Sequence, residues 1–218
     1  MIKEHEYEPV WGLPERLPEG EQILWQGRPD RRAFALRALH LPGLSLYFAA
    51  LVMARMVSVL LAGASIGVTA LDALWFLLPS LLVLLLGLAL ASGVARTTAY
   101  TITNKRVVMR FGMALSVTAN LPFALVHNAA AKVHADGSGD ISLSILKPHR
   151  VSYLFFWPHA RPWHLLRPQP TLRAVADAPA VAQILARALA GAAAVPVQAV
   201  AVPGKAPGTG DLPAPQAA

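Results

Sequence analysis

"ALWFLLPSLLVLLLGLALASGVARTTAYTITNKRVVMRFG", residues 73–112, changes character part-way along. From Ala73 to Ala95 it carries no charge, whereas from Tyr100 onward apolar and polar residues alternate. The first part meets the requirement for a bilayer-crossing helix, about 20 consecutive apolar residues. The second part reads as a β-hairpin, with a strand over Tyr100–Thr103, a turn at Asn104–Lys105 and a strand over Val107–Phe111. Val107, Met109 and Phe111 share one face of that second strand, and Arg106, Val108 and Arg110 take the other. The frame is therefore a membrane helix that runs into a β domain.

Upstream of this stretch, residues 41–71 carry a single charge, Arg55. The pattern predicts a first span over about residues 41–62 and a second over about 73–94. The intervening "AGASIGVTALD" reads as a short outer loop, and Pro79 as a kink of a kind membrane helices tolerate. Arg28, Arg31, Arg32 and Arg37 precede the first span, and Arg96, Lys105, Arg106 and Arg110 follow the second; the loop offers only Asp72. The positive-inside rule then places both termini in the cytoplasm, with residues 1–40 as a cytoplasmic N-terminal segment.

Composition agrees with this frame. The 218 residues are 55% hydrophobic and only 14% charged, where an ordinary globular domain carries roughly 25%. The net charge of +7 suits an anionic membrane surface. Its basic residues form no stripe or nucleic-acid-binding pattern, so no nucleic-acid partner is expected. Cysteine is absent, which excludes disulfides, thiolate metal sites and a cysteine nucleophile. The polar, acidic "MIKEHEYEPVWGLPERLPEGEQ" does not read as a cleavable signal peptide.

Downstream, "AKVHADGSGDISLSIL" predicts a second hairpin that turns at Asp136–Gly137, with Ile141, Leu143 and Ile145 on one face. "VSYLFFW", residues 151–157, reads as a further strand. A helix follows, with Asp177 as N-cap, Gly191 as stop, and Val181, Ile184, Leu185, Ala188 and Leu189 on one face. The Pro/Ala-rich residues 193–218 read as disordered. The expected fold is an α+β membrane protein: a two-helix transmembrane hairpin over 41–94, then a cytoplasmic antiparallel β barrel or sandwich over 95–192 capped by its C-terminal helix.

Two levels of resemblance attach to these residues. "LPEGEQILWQGRP", the apolar hairpin and "YTITNKRVVMRFG" resemble bacterial pleckstrin-homology-like membrane proteins. More narrowly, "GLPERLPEGEQILWQGRP", "NLPF", "GSGDISL" and "WPHARPWH" resemble the PuhB-type photosynthetic complex assembly proteins of purple bacteria. The match covers about Glu8 to Ala190 and departs at Asp30 and Thr171. It implies a two-span protein of the bacterial inner (intracytoplasmic) membrane. It further implies that reaction-centre or core light-harvesting subunits are its partners, that lipids surround it, and that its role is assembly without catalysis. Self-association would also be compatible. Two alternatives are a general membrane adaptor for lipid or envelope proteins and a heme or bacteriochlorophyll carrier.

The residue chemistry points the same way. His159 and His164 are five apart across Pro162, off the i, i+4 spacing of a helical zinc pair, and no carboxylate lies between Asp140 and Asp177. They are at most pigment ligands; no metal or resident cofactor is expected. Ser142, Ser144 and Ser152 lack a nucleophile elbow, so no enzyme is expected. Trp157, His159, Arg161, Trp163 and His164 form the candidate partner-binding segment, joined by Arg55 within the first span. Lys105, Arg106 and Arg110 are the candidate membrane-surface cations.

Overall fold

The computed structural model describes residues 12–13, 15–113, 115–146 and 152–194. Of the tail expected over 193–218, residues 193 and 194 are helical and the remainder lies outside the described residues.

Two helices, α2 (Leu41–Leu61) and α3 (Ile66–Thr97), are long and apolar enough to cross a membrane. Buried residues make up 0% of the most apolar window in α2 and 6% in α3, which separates both from the core helices of a soluble protein. They lie antiparallel. A Leu41 methyl stands 2.7 Å from where a Cβ on Gly87 would be, and Arg55 meets Asp72 further along. The outer loop is shorter than the sequence predicts: helix resumes at Ile66, capped by the Ser65 hydroxyl, so Asp72 lies inside α3. Pro79 lies within α3, which continues through it; the neighbouring Ser80 hydroxyl donates to the Phe76 carbonyl at 2.6 Å.

One residue, Thr98, separates α3 from β2 (Ala99–Thr103), the centre of a four-stranded antiparallel sheet. Its order is β1 (Ile23–Gly27), β2, β3 (Arg106–Phe111) and β4 (Val117–Pro122). The turn at Asn104–Lys105 is where alternation places it, held by Thr103 Oγ1, which accepts from both Lys105 N and Arg106 N. The N-terminal segment is no separate unit, because β1 supplies an edge strand paired to β2. The second sheet has the order β5 (Val126–Val133), β6 (Gly139–Ile145) and β7 (Thr171–Val175). Its hairpin turns at Asp136–Gly137 as expected; Gly137 has φ +79°, the left-handed region that glycine enters without a Cβ clash.

The segment 151–157 is not a strand. Tyr153–Phe156 form a single helical turn, α4, and Val151 lies outside the described residues. "YLFF" is apolar on every side, so it carries no period-2 signal; Phe156 is buried in the core and Tyr153 packs at its edge, whereas Leu154 is exposed. The last strand is β7, all five of whose residues are buried, including Arg173. The closing helix α5 (Ala178–Ala194) starts where Asp177 Oδ1 accepts from Ala180 N. Gly191 does not stop it: a Cβ there would meet nothing, and its φ is not positive. Val181, Leu185 and Ala188 of α5 pack on Ile102, Met109, Ile141, Leu143 and Leu172, making one core from both sheets and the helix.

A second apolar cluster joins the long helices to the β domain. Phe34, from a π-helical turn (Phe34–Ala38) after the short α1 (Arg31–Ala33), is fully buried with Ala91, Val94 and Ala174. Arg37 on that turn bonds Asp136 at 2.8 Å and the Ser138 hydroxyl, tying the turn to the β5–β6 hairpin. The hydrogen bond from Arg37 holds the Asp136 carboxyl down at about 2.

Leu143 is fully buried at the centre of the core. Leu143→Ala is expected to lower stability by about 2–5 kcal/mol, the usual range for a buried leucine. Leu154→Ala, at an 85%-exposed position, should stay within about 0.5 kcal/mol. Chemical unfolding of the two variants in detergent checks the contrast.

Candidate functional site

The segment "FFWPHARPWHLLRPQP" (155–170) is built as a neck and a tip. At the neck, Ala160 bridges Pro170, Arg161 N donates to Gln169 O at 2.9 Å, and Thr171 N donates to His159 O at 2.8 Å. Arg161 donates to Gln169 Oε1, and Gln169 Nε2 donates to Ser144 Oγ on β6, so the neck is fastened to the second sheet. Residues 162–168 then swing outward. Trp163 sits in the left-handed region at φ +63° and is 93% exposed; Leu166 is 94% exposed. Leu165 and, before the neck, Leu154 and Trp157 are exposed as well. The Trp157–Pro158 peptide is cis.

Exposed large apolar groups beside a fastened backbone are a recognition geometry: the aromatic anchors lose little conformational freedom on binding, and contact removes their apolar area from water. The predicted segment is thus split between two roles. Trp157 and Trp163 are available to a partner. Arg161 is committed to Gln169, and His164 Nδ1 contacts the Pro162 carbonyl at 2.9 Å.

His159 departs from the expectation. It is 1% exposed and cannot touch a partner. Its ring lies among Phe34, Tyr100 and Phe111, with Nδ1 2.8 Å from the Tyr100 hydroxyl and Nε2 3.3 Å from Thr98 Oγ1. Both nitrogens are engaged, which leaves neither free for a metal or pigment. Burial, reinforced by the Arg173 charge, pushes its pKa down to about 3. Burial likewise raises the Tyr100 phenol, whose oxygen accepts from Arg173 N. Arg173 itself runs to Asp140 at 3.8 Å and to the Pro158 carbonyl. Among the described residues no three His, Cys, Asp or Glu side chains cluster as metal ligands.

The other predicted residues also change meaning. Arg55 holds Asp72 in a two-pronged pair, Nε–Oδ2 2.7 Å and Nη2–Oδ1 2.8 Å, with its guanidinium 5.7 Å from the Phe76 ring. It has an internal mate and is not a spare contact for another chain. Lys105, Arg106 and Arg110 do not form a common surface. Lys105 lies at the hairpin turn, a strand's length (about 17 Å) from the end of α3. There it lines an open, largely apolar groove of about 1490 Å³ between α5 and β5. Arg106 is paired with Glu21 at 2.7 Å, and Arg110 is buried. Burial alone would raise the Glu21 carboxyl, but hydrogen bonds from Arg106 and Thr103 outweigh it and the net shift is downward.

Sequence reading missed Thr98, Tyr100 and Gln169. Each is an ordinary polar residue whose role comes from a partner distant in the chain, as with Tyr100 and His159, 59 residues apart.

The topology, two antiparallel sheets closed by a C-terminal helix, can be compared with known families. The bacterial PH domain family matches residues 38–189, which takes in both long helices and the β domain as far as α5. The chain belongs to the bacterial PH domain family. A relative from Rhodobacter capsulatus, described as an uncharacterized 23.7 kDa protein in the puhA 5' region, is 41% identical over 189 residues. That alignment covers 84% of this chain and 86% of the relative. No solved structure matches the chain.

The buried imidazole gives a pH signature. Its folded pKa lies below the unfolded value of about 6.5, so the unfolded chain binds the extra proton first. The stability that neutral His159 contributes is complete above pH 6.5 and is lost as the pH falls towards 3. Unfolding measured from pH 7 to 4 should show a slope approaching about 1.4 kcal/mol per pH unit. His159→Asn should remove most of that slope while lowering stability at pH 7. An equally steep profile in the variant would show that groups other than His159 carry the acid sensitivity, and not Asp136, whose stability is lost only below about pH 4.

Proposed function

We propose that this protein is a membrane-anchored assembly factor for the photosynthetic reaction centre and core light-harvesting complex, acting by binding and not by catalysis. The observation that carries this reading is the 41%-identical relative, whose description places it in the 5' region of puhA, a photosynthesis locus. The resemblance of "WPHARPWH" and its companion strings to the PuhB-type assembly proteins supports the same conclusion.

In this reading α2 and α3 cross the inner membrane as a hairpin, and the arginine-rich side, with the β domain, faces the cytoplasm. The Trp157–Leu166 segment receives the client. Tryptophan and leucine at a fastened, exposed tip fit an apolar or amphipathic subunit surface, and this tip is held on the same domain that carries the helices. Paired carboxylates, nucleophile elbows and metal clusters are not what this surface offers. The pigment-carrier alternative would have to rest on His164, because both nitrogens of His159 are already engaged.

Deletion of the gene in pigmented cells is expected to reduce reaction-centre and core-antenna absorbance in membranes several-fold, and unchanged spectra would defeat the proposal. Trp163→Ala combined with Leu166→Ala should reproduce most of the deletion while the protein accumulates normally on immunoblots, since neither side chain supports the fold. A photo-crosslinker at position 163 should capture a reaction-centre or antenna subunit.

A further inference from the structure

Three exposed arginines converge beside the domain-side end of α3. Arg28 comes from the β1–α1 connection, Arg31 from the start of α1 and Arg96 from the last turn of α3; with Asp30, Ser92 and Ala95 they line a recess of about 430 Å³. Four other arginines reach carboxylates: Arg37 meets Asp136, Arg55 meets Asp72, Arg106 meets Glu21 and Arg173 meets Asp140. Among the described residues, Arg28, Arg31 and Arg96 have no ion pair or side-chain hydrogen bond. Asp30 does not neutralise the recess, because it is one acid against three arginines. Its Oδ1 is already accepting from Ala33 N at 2.7 Å.

The height of the recess identifies its ligand. Leu41, the first residue of α2, lies against Gly87 of α3, which marks the level where the paired apolar section begins. Ser92 is five residues further, about 7 Å along the axis, and Arg96 about 13 Å. The polar headgroup layer on each side of a bilayer is about 5–8 Å deep. The recess therefore opens at headgroup level, and the flexible Arg96 stem lets its guanidinium lean back towards the phosphate plane. Guanidinium groups match phosphate oxygens two bonds at a time, and a basic pocket beside a spanning helix is a known design for anionic headgroups.

We propose that this recess binds the phosphodiester of an anionic membrane lipid, with Arg28, Arg31 and Arg96 as its ligands. The inference rests on the reading that α2 and α3 span a bilayer. The recess is separate from the Trp163 tip, and it gives the +7 chain a defined lipid contact where Lys105, Arg106 and Arg110 give none.

The test uses the full chain purified in a neutral detergent, where binding is read whether or not the helices cross a bilayer. Dihexanoyl phosphatidylglycerol, dihexanoyl phosphatidylcholine and inorganic phosphate are titrated in turn by calorimetry. The anionic lipid should bind about tenfold or more tightly than the zwitterionic one, and inorganic phosphate should compete only weakly. Arg28→Gln/Arg31→Gln/Arg96→Gln should erase the preference, while Arg32→Gln, at an exposed position outside the recess, keeps it. Should the triple variant misfold by circular dichroism, Arg96→Gln alone is expected to weaken the anionic lipid about threefold or more. Equal binding of the two lipids, or an undiminished preference in the arginine variants, overturns the site. Phosphate competing as strongly as phosphatidylglycerol overturns the lipid in favour of a free anion. Alkaline-carbonate extraction of cell membranes reads the other premise: release of the wild-type chain with its lipid preference intact would defeat the spanning reading and leave the recess standing.

Discussion

The structure depends on the single residue between a long apolar helix and the first strand of the central sheet. α3 ends at Thr97, β2 begins at Ala99, and Thr98 is the whole connection. A joint this short would still swivel on two backbone dihedrals if nothing gripped it. The His159 ring does so, reaching Thr98 Oγ1 with one nitrogen and the Tyr100 hydroxyl with the other. Phe34, beside the His159 ring, closes the same place, packing on Ala91 and Val94 of α3 and on Ala174 of β7. Helix, strand and both sheets are thereby held as one body.

That arrangement explains why the imidazole is buried. An isolated histidine in an apolar niche is costly unless both nitrogens find partners. Here both do, and the buried Arg173 guanidinium nearby adds a reason for the ring to stay neutral. The segment that supplies His159 also supplies Trp163, four residues on. Fixing the joint and displaying the tip are therefore linked through one short stretch of backbone, with the Arg161–Gln169–Ser144 chain at its neck.

Much of this was legible from residue order. The first helix, the Asn104–Lys105 and Asp136–Gly137 turns and the apolar face of α5 follow from periodicity and turn chemistry alone. The failures have physical causes. β7 is only five residues long and is buried on both faces, so the alternation of "TLRAV" marks no solvent face, while "YLFF" is apolar throughout and could equally be strand or helix. Asp72 is a possible internal mate for Arg55 from the sequence, but with Asp72 assigned to a loop it reads as distant and no register aligns the two. Starting α3 at Ile66 places it opposite. Proximity in sequence groups Lys105, Arg106 and Arg110 with the helix end, but β2 leads away from α3 and carries the turn with it, while Arg110 returns opposite Ala99 and is buried.

α3 is longer than its partner needs. Past the level of Leu41 it continues for about ten residues, roughly 15 Å, and one face of that overhang, Ala91 and Val94, packs on Phe34 and Ala174. The overhang works as a ruler. Because helix rise is fixed and the joint at Thr98 is clamped, the distance from the paired helices to the Trp163 tip is set by residue count. Inserting or deleting residues within 88–97 would change the elevation of the tip and its compass bearing together, by about 1.5 Å and 100° per residue. Such a change would re-aim the whole domain while leaving every strand intact.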